Sequence, residues 1–402
     1  MAIYLLVTLD TKGPEAEFVR DRLRARGREV IVVDTGCIGQ PAFDAEISRG
    51  DVFAAAGVSL AAMVERNDRG EAVTQAVAGV ESIVRDAHQR GEVCGVIALG
   101  GSAGTTIGAA AMRQLPIGVP KVMVSTLASG EVRQWVGDKD IMMLNSVVDI
   151  AGVNRISRKI LAQAADAIWG MTEEPETDSH DDRPLVAATM FGVTTQCVLR
   201  AQSVLEKAGY EVLVFHATGN GGLAMESLIH DGLISGVLDI TTTELADELV
   251  GGVLSAGPHR LTAAGELGVP QVISVGATDM VNFREPDSVP DEFQNRLFFR
   301  HNPTVTLMRT TADENQKLGA EIAAKAAAAS GPTAVLLPLQ GVSAIDCAGQ
   351  PFDDPAARTA LFESIRSGNS IEVEEHDCHI NDESFADAAA AKLLSMMKMK
   401  GN

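Results

Sequence analysis

Residues 3–36 read IYLLVTLDTKGPEAEFVRDRLRARGREVIVVDTG, and residues 185–219 read LVAATMFGVTTQCVLRAQSVLEKAGYEVLVFHATG. Each stretch opens on a short apolar run and passes a polar turn. Each then carries apolar residues at helical spacing and ends in a second β-branched run. This is strand, loop, amphipathic helix, strand, the unit from which parallel sheets are built. The two stretches stay in step further along the chain. Residues 95–99 (GVIAL) parallel 236–240 (GVLDI), and residues 118–125 (GVPKVMVS) parallel 268–275 (GVPQVISV). Four matched elements in one order indicate an internal duplication. The predicted fold is α/β, with two Rossmann-like domains of largely parallel sheet.

Working outward, residues 171–184 (MTEEPETDSHDDRP) hold six acids and two prolines without apolar periodicity, the pattern of an exposed linker. The expected domains are therefore 1–180 and 181–402. The first carries a helical insertion at about residues 40–93. A helix over 155–169 is expected to bury Ile156, Ile160, Ala164 and Ile168 on one face. In the second half, helices are expected over 311–330, with Thr311 and Glu314 as a capping box, over 354–367 with Pro355 in the first turn, and over 383–398. Strands are expected at 334–337 and 371–375.

Composition narrows the function classes. The chain has 402 residues, 46% of them hydrophobic, and 33 Lys plus Arg against 54 Asp plus Glu, a net charge of −21. A general nucleic-acid binder needs a basic face for phosphates, and an anionic membrane surface attracts basic segments; neither fits. A soluble cytoplasmic protein is the expectation. The five cysteines (Cys37, Cys94, Cys197, Cys347, Cys378) are scattered without a CxxC pair, so neither a disulfide framework nor a zinc ribbon is expected. The apolar N-terminus MAIYLLVT lacks a basic leader and meets Asp10 early, which predicts a first strand in place of a signal peptide. No apolar run approaches the ~20 residues of a membrane span.

In an open parallel sheet, ligands bind beyond the carboxyl ends of the strands. Four loops of the first half fall there. Gly100, Gly101, Ser102, Gly104, Thr105 and Thr106 follow the strand at 96–99. Their glycines let a backbone approach an anion, the next helix adds its positive end, and the hydroxyls can donate. The loop matches neither the Walker A pattern nor G-x-G-x-x-G, and a tight turn is the plain alternative. After the first strand come Asp10, Thr11, Lys12 and Gly13: Lys12 could pair with a phosphate, and Asp10 could hold a metal or cap the next helix. Asp34, after the second strand, is placed for a ribose hydroxyl or for a turn. Ser125, Thr126, Ser129 and Gly130, after the fourth, could line a nucleotide pocket or form an ordinary loop.

The second half has a different inventory at its strand ends: His216, then Glu244, then Asp279. Together they could do acid–base work or bind a divalent ion; singly, each reads as a turn or core polar residue. The segment His376, Asp377, Cys378, His379 looks metal-like in composition, but alternation along a strand splits it between two faces, and a strand end is the favoured reading.

Taken together, these loops resemble the Tm-one-like ATP-binding family. The carriers are LDTKG (9–13), LGGSAGTT (99–106), VSTLASG (124–130) and MMLNSVVDIAGVNRISR (142–158), then FGVTTQCV (191–198), FHATGNGGLAME (215–226), VLDITTTELAD (237–247), LSAGPHRL (254–261), DMVNF (279–283) and HNPTVTLMRTT (301–311). The resemblance covers nearly the whole chain. It implies two α/β halves, with ATP bound in the first, and a homodimer or larger homo-oligomer. Magnesium is expected as the phosphate counter-ion. The plant member inhibits a viral replication protein and carries a further barrel-like domain, whose bacterial counterpart is a separate protein; a barrel-fold partner is thereby implied. The expected function is an ATP- and magnesium-dependent metabolic enzyme acting on a small molecule in the interdomain or C-terminal cleft. The alternative is a nucleotide-responsive regulatory protein without turnover of its own.

Overall fold

The computed structural model describes residues 1–36, 39–173, 183–368 and 371–400. The chain divides into two compact units, Met1–Ser179 and His180–Asn402. Most of the acidic stretch, residues 174–182, and Cys37 lie outside the described residues.

The first unit runs β1 (Ala2–Val7), α1 (Leu9–Ala25), β2 (Val30–Asp34), α2 (Arg49–Ala55), α3 (Leu60–Arg66), α4 (Arg69–Gln89), β3 (Val93–Gly100), α5 (Ser102–Arg113), β4 (Lys121–Ser125), α6 (Arg133–Val136), β5 (Met142–Asn145) and α7 (Arg155–Met171). Its five strands are all parallel and lie in the order β2-β1-β3-β4-β5. Alternation along β1 explains the layers. Ile3, Leu5 and Val7 join a core with α1 and α7, whereas Tyr4 and Leu6 join another with α4 and α5. A strand buried on both faces must be continuously apolar, and β1 is. On α7 the buried face is Ser157, Leu161, Ala164, Ala165 and Ile168. Ile156 is exposed, so the expected stripe is turned by one residue at its start. The cause is the capping box of Asn154 and Ser157, which directs Ser157 inward.

The second unit runs β6 (Leu185–Met190), α8 (Thr195–Lys207), β7 (Glu211–His216), α9 (Asn220–His230), β8 (Ile234–Thr241), α10 (Thr243–Val250), α11 (Ala263–Glu266), β9 (Gln271–Gly276), β10 (Met280–Phe283), β11 (Phe298–Asn302), β12 (Val305–Arg309), α12 (Ala312–Ala327), β13 (Thr333–Pro338), α13 (Pro355–Arg366), β14 (Glu372–His376) and α14 (Glu383–Lys400). Its main sheet is parallel, in the order β14-β13-β9-β8-β6-β7. A separate antiparallel sheet, β10-β12-β11, was not anticipated from the sequence. Thr311 and Glu314 form their capping box and Pro355 opens α13. The last strand and helix complete this unit, with α14 packing beside α8 on Val186, Leu238 and Ile240.

The duplication extends to backbone detail. Setting β1, β2 and β3 on β6, β7 and β8 gives the same strand order, 2-1-3-4, in both units. A register shift falls between Ala2 and Ile3 in one copy and between Leu185 and Val186 in the other. The amide of Val96 donates to Pro120 O at 2.8 Å, and that of Val237 to Pro270 O at 2.9 Å. Ladder partners then make Asp34 the counterpart of His216. The segment Thr241–Glu244 stands where the first unit has Gly100–Ala103.

Candidate functional site

In the strand order 2-1-3-4-5, neighbouring connections leave β1 and β3 on opposite sides of the sheet, so a crevice opens beyond their carboxyl ends. The first unit has a cleft of about 210 Å³ there. Its walls are Thr8, Asp10, Thr11 and Lys12 after β1, Thr35 and Gly36 after β2, and Gly101–Gly104 with Ile107 after β3. The helical insertion supplies the remaining wall through Arg69, Ala72 and Val73 of α4.

Local sequence explains the arrangement. Gly100 and Gly104 are in close backbone contact: a Cβ on Gly100 would fall 2.6 Å from Gly104 Cα, and one on Gly104 would fall 2.9 Å from Leu99 O. These two glycines close the turn. Gly101 differs, since a Cβ there meets nothing nearer than Thr126 Oγ1 at 3.6 Å. Gly101 is also the N-cap of α5 and offers that helix no side-chain acceptor. First-turn amides need an acceptor from outside the helix, and here they border the cleft.

The structure divides the other predicted residues. Asp10 lines the cleft and accepts Gly39 N–H at 3.1 Å. Lys12 lines it too, at a non-helical kink, but its ammonium donates to Ile150 O at 2.7 Å. Asp34 is buried behind the cleft and accepts from Leu9 N at 3.0 Å and Gly36 N at 2.9 Å. Its role is the turn; burial pushes its carboxyl above the usual range, and Asp10 adds to this. Gly13 is a packing position, with its Cβ direction blocked by Ala42 Cβ at 2.2 Å. Thr105 and Ser125 are buried and share a hydrogen bond of 2.7 Å that ties α5 to β4. The Thr106 hydroxyl donates to Ser102 O within its own helix at 3.1 Å. Thr126, Ser129 and Gly130 do not contribute to the cleft walls. Within the fourth loop Ser125 turns inward, while Thr126 Oγ1 is the atom nearest a Cβ on Gly101.

In the second unit the three expected acid–base residues are not one group. His216 is exposed and its ring lies 5.5 Å from that of Phe191. Glu244 is buried and accepts from Gly219 N at 2.7 Å, Gly222 N at 3.1 Å and Arg260 Nε at 2.6 Å. Arg260, itself 1% exposed, also grips Asp239 with Nη1 at 2.5 Å and Nη2 at 2.7 Å. Burial pushes Glu244 above the usual carboxylate range, against the pull of Arg260. The last glycine of HATGNGG serves this packing, since a Cβ on Gly222 would strike Glu244 Oε2. An internal carboxylate thus occupies the amino end of α9, where an outside anion would otherwise bind.

Asp279 belongs to a different network. Ser343 Oγ donates to its Oδ2 at 2.8 Å, while its buried Oδ1 has no hydrogen-bond partner among the described residues. Burial, then the nearby charge of Asp346, raises its pKa. Asp346 is held by Arg309 at 3.0 Å and Arg358 at 2.8 Å. His379 accepts Asn381 N–H on Nδ1 at 3.1 Å, so its Nε2–H donates to Ser343 O at 2.8 Å. Among the described residues no group of three or more His, Cys, Asp or Glu is placed to hold a metal ion, and none of their helices is long and apolar enough to cross a membrane.

Comparison with known proteins places this architecture. Residues 1–177 match the N-terminal domain of an uncharacterised protein family, UPF0261, and residues 183–397 match its C-terminal domain. The chain belongs to the UPF0261 family. A UPF0261 protein of Clostridium tetani is 48% identical over 399 residues, covering 98% of this chain and 99% of that protein. One of Rhizobium meliloti is 47% identical, covering 97% of each. The ToMV susceptible protein tm-1(GCR26) of Solanum lycopersicum is 38% identical; the match covers all of this chain and 56% of the tomato protein. The two UPF0261 domains fall within the two units of the fold.

Sequence reasoning missed Arg69, Ala72 and Val73 in the cleft and Arg260 and Arg309 in the buried networks. The only signal for the arginines was that two stranded acids, Glu244 and Asp279, lay in predicted strand-end loops. A buried carboxylate needs a cation or several donors.

Proposed function

We propose that this UPF0261 protein binds ATP with magnesium in the cleft of its first unit. The observation that carries the reading is the uncapped start of α5 at Gly101, open to the cleft at the β1–β3 crevice. The residues fit a phosphate chain: amides of the first turn of α5 as donors, Ser102 and Thr11 as hydroxyl donors, and Asp10 as the carboxylate for a magnesium ion. Such an ion takes one or two carboxylates, water and the nucleotide's own phosphates, which suits a site without a cluster of acids. The bound metal would neutralise phosphate charge beside Asp10. The nucleotide would serve a reaction on a small molecule, and the proposal includes a homodimer or larger homo-oligomer and a barrel-fold partner protein.

A second reading, a nucleotide-responsive binding protein without turnover, is favoured by one observation. Glu244 is fully buried among internal partners, and Asp279 is fully buried with one carboxylate oxygen held by Ser343, which sets both acids back from an exposed substrate. Phosphate release from ATP by the purified protein, alone and across a metabolite panel, separates the two: steady release supports the enzyme, and ATP binding without release supports the second reading. Light scattering tests the dimer, with a monomeric mass counting against it.

A further inference from the structure

The insertion between β2 and β3 brings one charged side chain into the cleft, Arg69, the first residue of α4. On that helix Arg69, Ala72, Val73 and Ala76 share a face by their three- and four-residue spacing. Ala72 and Val73 line the cleft with it, and Ala72 and Ala76 are buried. The helix is firmly seated. A Cβ on Gly79 would lie 2.0 Å from Val52 O, and Val80 and Val84 enter the core against α5. The neighbouring acids have other partners: Asp68 accepts Glu71 N–H at 3.0 Å, and the Glu71 carboxylate pairs with Arg66. No hydrogen bond or ion pair holds the Arg69 guanidinium among the described residues. The other cation of the cleft, Lys12, donates to Ile150 O at 2.7 Å. A polyphosphate laid along Gly101–Gly104 would meet the charge of Asp10 on one side and, on the α4 side, an unengaged guanidinium, the group best shaped for bidentate phosphate contacts.

We propose that Arg69 binds the phosphate chain of the nucleotide beyond its first phosphate, so that the helical insertion makes affinity depend on phosphate number. This rests on the nucleotide reading above and deepens it. Arg69 is a specificity-determining residue here, and its exposed position makes substitution harmless to folding.

The test is calorimetric titration of the wild type, Arg69→Gln and Arg69→Lys with ATP, ADP, AMP and adenosine, each with magnesium. The expected result is a loss of about tenfold or more in ATP affinity for Arg69→Gln, the scale of one charge-assisted contact. A smaller loss is expected for ADP, change within about twofold for AMP and adenosine, and partial recovery in Arg69→Lys. Unchanged melting temperature without ligand checks the fold. Equal weakening of all four ligands would instead place Arg69 on the base or sugar and overturn the proposal. So would unchanged ATP affinity in Arg69→Gln where the wild type binds ATP. A wild type that binds none of the four ligands overturns the nucleotide reading itself, and the role of Arg69 with it.

Discussion

Alanine placed at Gly101 and at Gly104 should separate ligand contact from folding. At Gly104 the new methyl would lie 2.9 Å from Leu99 O, a backbone atom that cannot swing aside. Overpacking of this kind costs about 1–3 kcal/mol, and the better helix propensity of Ala returns about 1 kcal/mol. Gly104→Ala should therefore be destabilised by up to about 2 kcal/mol, and any loss of ligand would be ambiguous. At Gly101 the nearest neighbour is 3.6 Å away and φ is −83°, a value open to alanine, while ψ of −150° lies at the edge of the extended region and strains it slightly. Alanine is a poorer N-cap than glycine by a few tenths to about 1 kcal/mol, and the slight backbone strain uses up the gain of about 0.4–1 kcal/mol from a stiffer unfolded chain. Stability should fall by no more than about 1 kcal/mol. The methyl would, however, stand where a phosphate must approach the first-turn amides. Losing one charge-assisted bond of about 1.5–3 kcal/mol weakens binding by about 10- to 150-fold. Urea unfolding and ATP calorimetry on the same preparations provide both numbers. A Gly101→Ala protein that binds ATP as tightly as the wild type would refute close backbone approach at this loop and return the glycine to a turn.

Three other outcomes follow from the buried networks. Asp247 is fully buried, and burial raises its carboxyl from 3.8 to about 7. The native state then holds this proton between about pH 4 and 7 where the unfolded chain has released it, so stability from this group falls as pH rises through that window. The full penalty is about 4 kcal/mol above pH 7, from about 1.4 kcal/mol per pH unit. Asp247→Asn, with the Asn282 amide rotating to offer its unpartnered Oδ1, should flatten the decline; urea midpoints from pH 5 to 8.5 that run parallel to the wild type would count against it. Glu244→Ala strips Arg260 Nε and two amides of their acceptor and should cost about 3–5 kcal/mol, whereas a loss below about 1 kcal/mol would mean the carboxylate is dispensable. Ser125→Ala breaks the bond to Thr105 and should cost about 1 kcal/mol with ATP affinity unchanged; a large affinity loss would restore Ser125 to the ligand.

Much of the fold was legible because periodicity and repetition are local properties. β1 is apolar throughout since both its faces are covered, and the paired GVP segments precede β4 and β9 in equivalent places. Strand order was not legible, and strand order decides which loops converge. Loops after β1 and β3 meet at the crevice, while Ser125 after β4 turns inward to Thr105. Arg69 was hidden because the α4 wall is remote in sequence from the walls after β1, β2 and β3 and carries no motif. Glu244 and Asp279 were read as reactive because their arginine and serine partners lie 16 and 64 residues away. The antiparallel sheet β10-β12-β11 was missed since its strands are short and interrupt the α/β rhythm.

The central claim is a single nucleotide site, in the first unit, with the second unit's α9 end closed by Glu244. Titration of the wild-type protein with ATP and magnesium tests it most directly. One ATP per chain is predicted, with stabilisation of about 2.7 kcal/mol at a hundredfold excess over Kd. No heat and no thermal shift, or two equivalent sites per chain, would contradict the account.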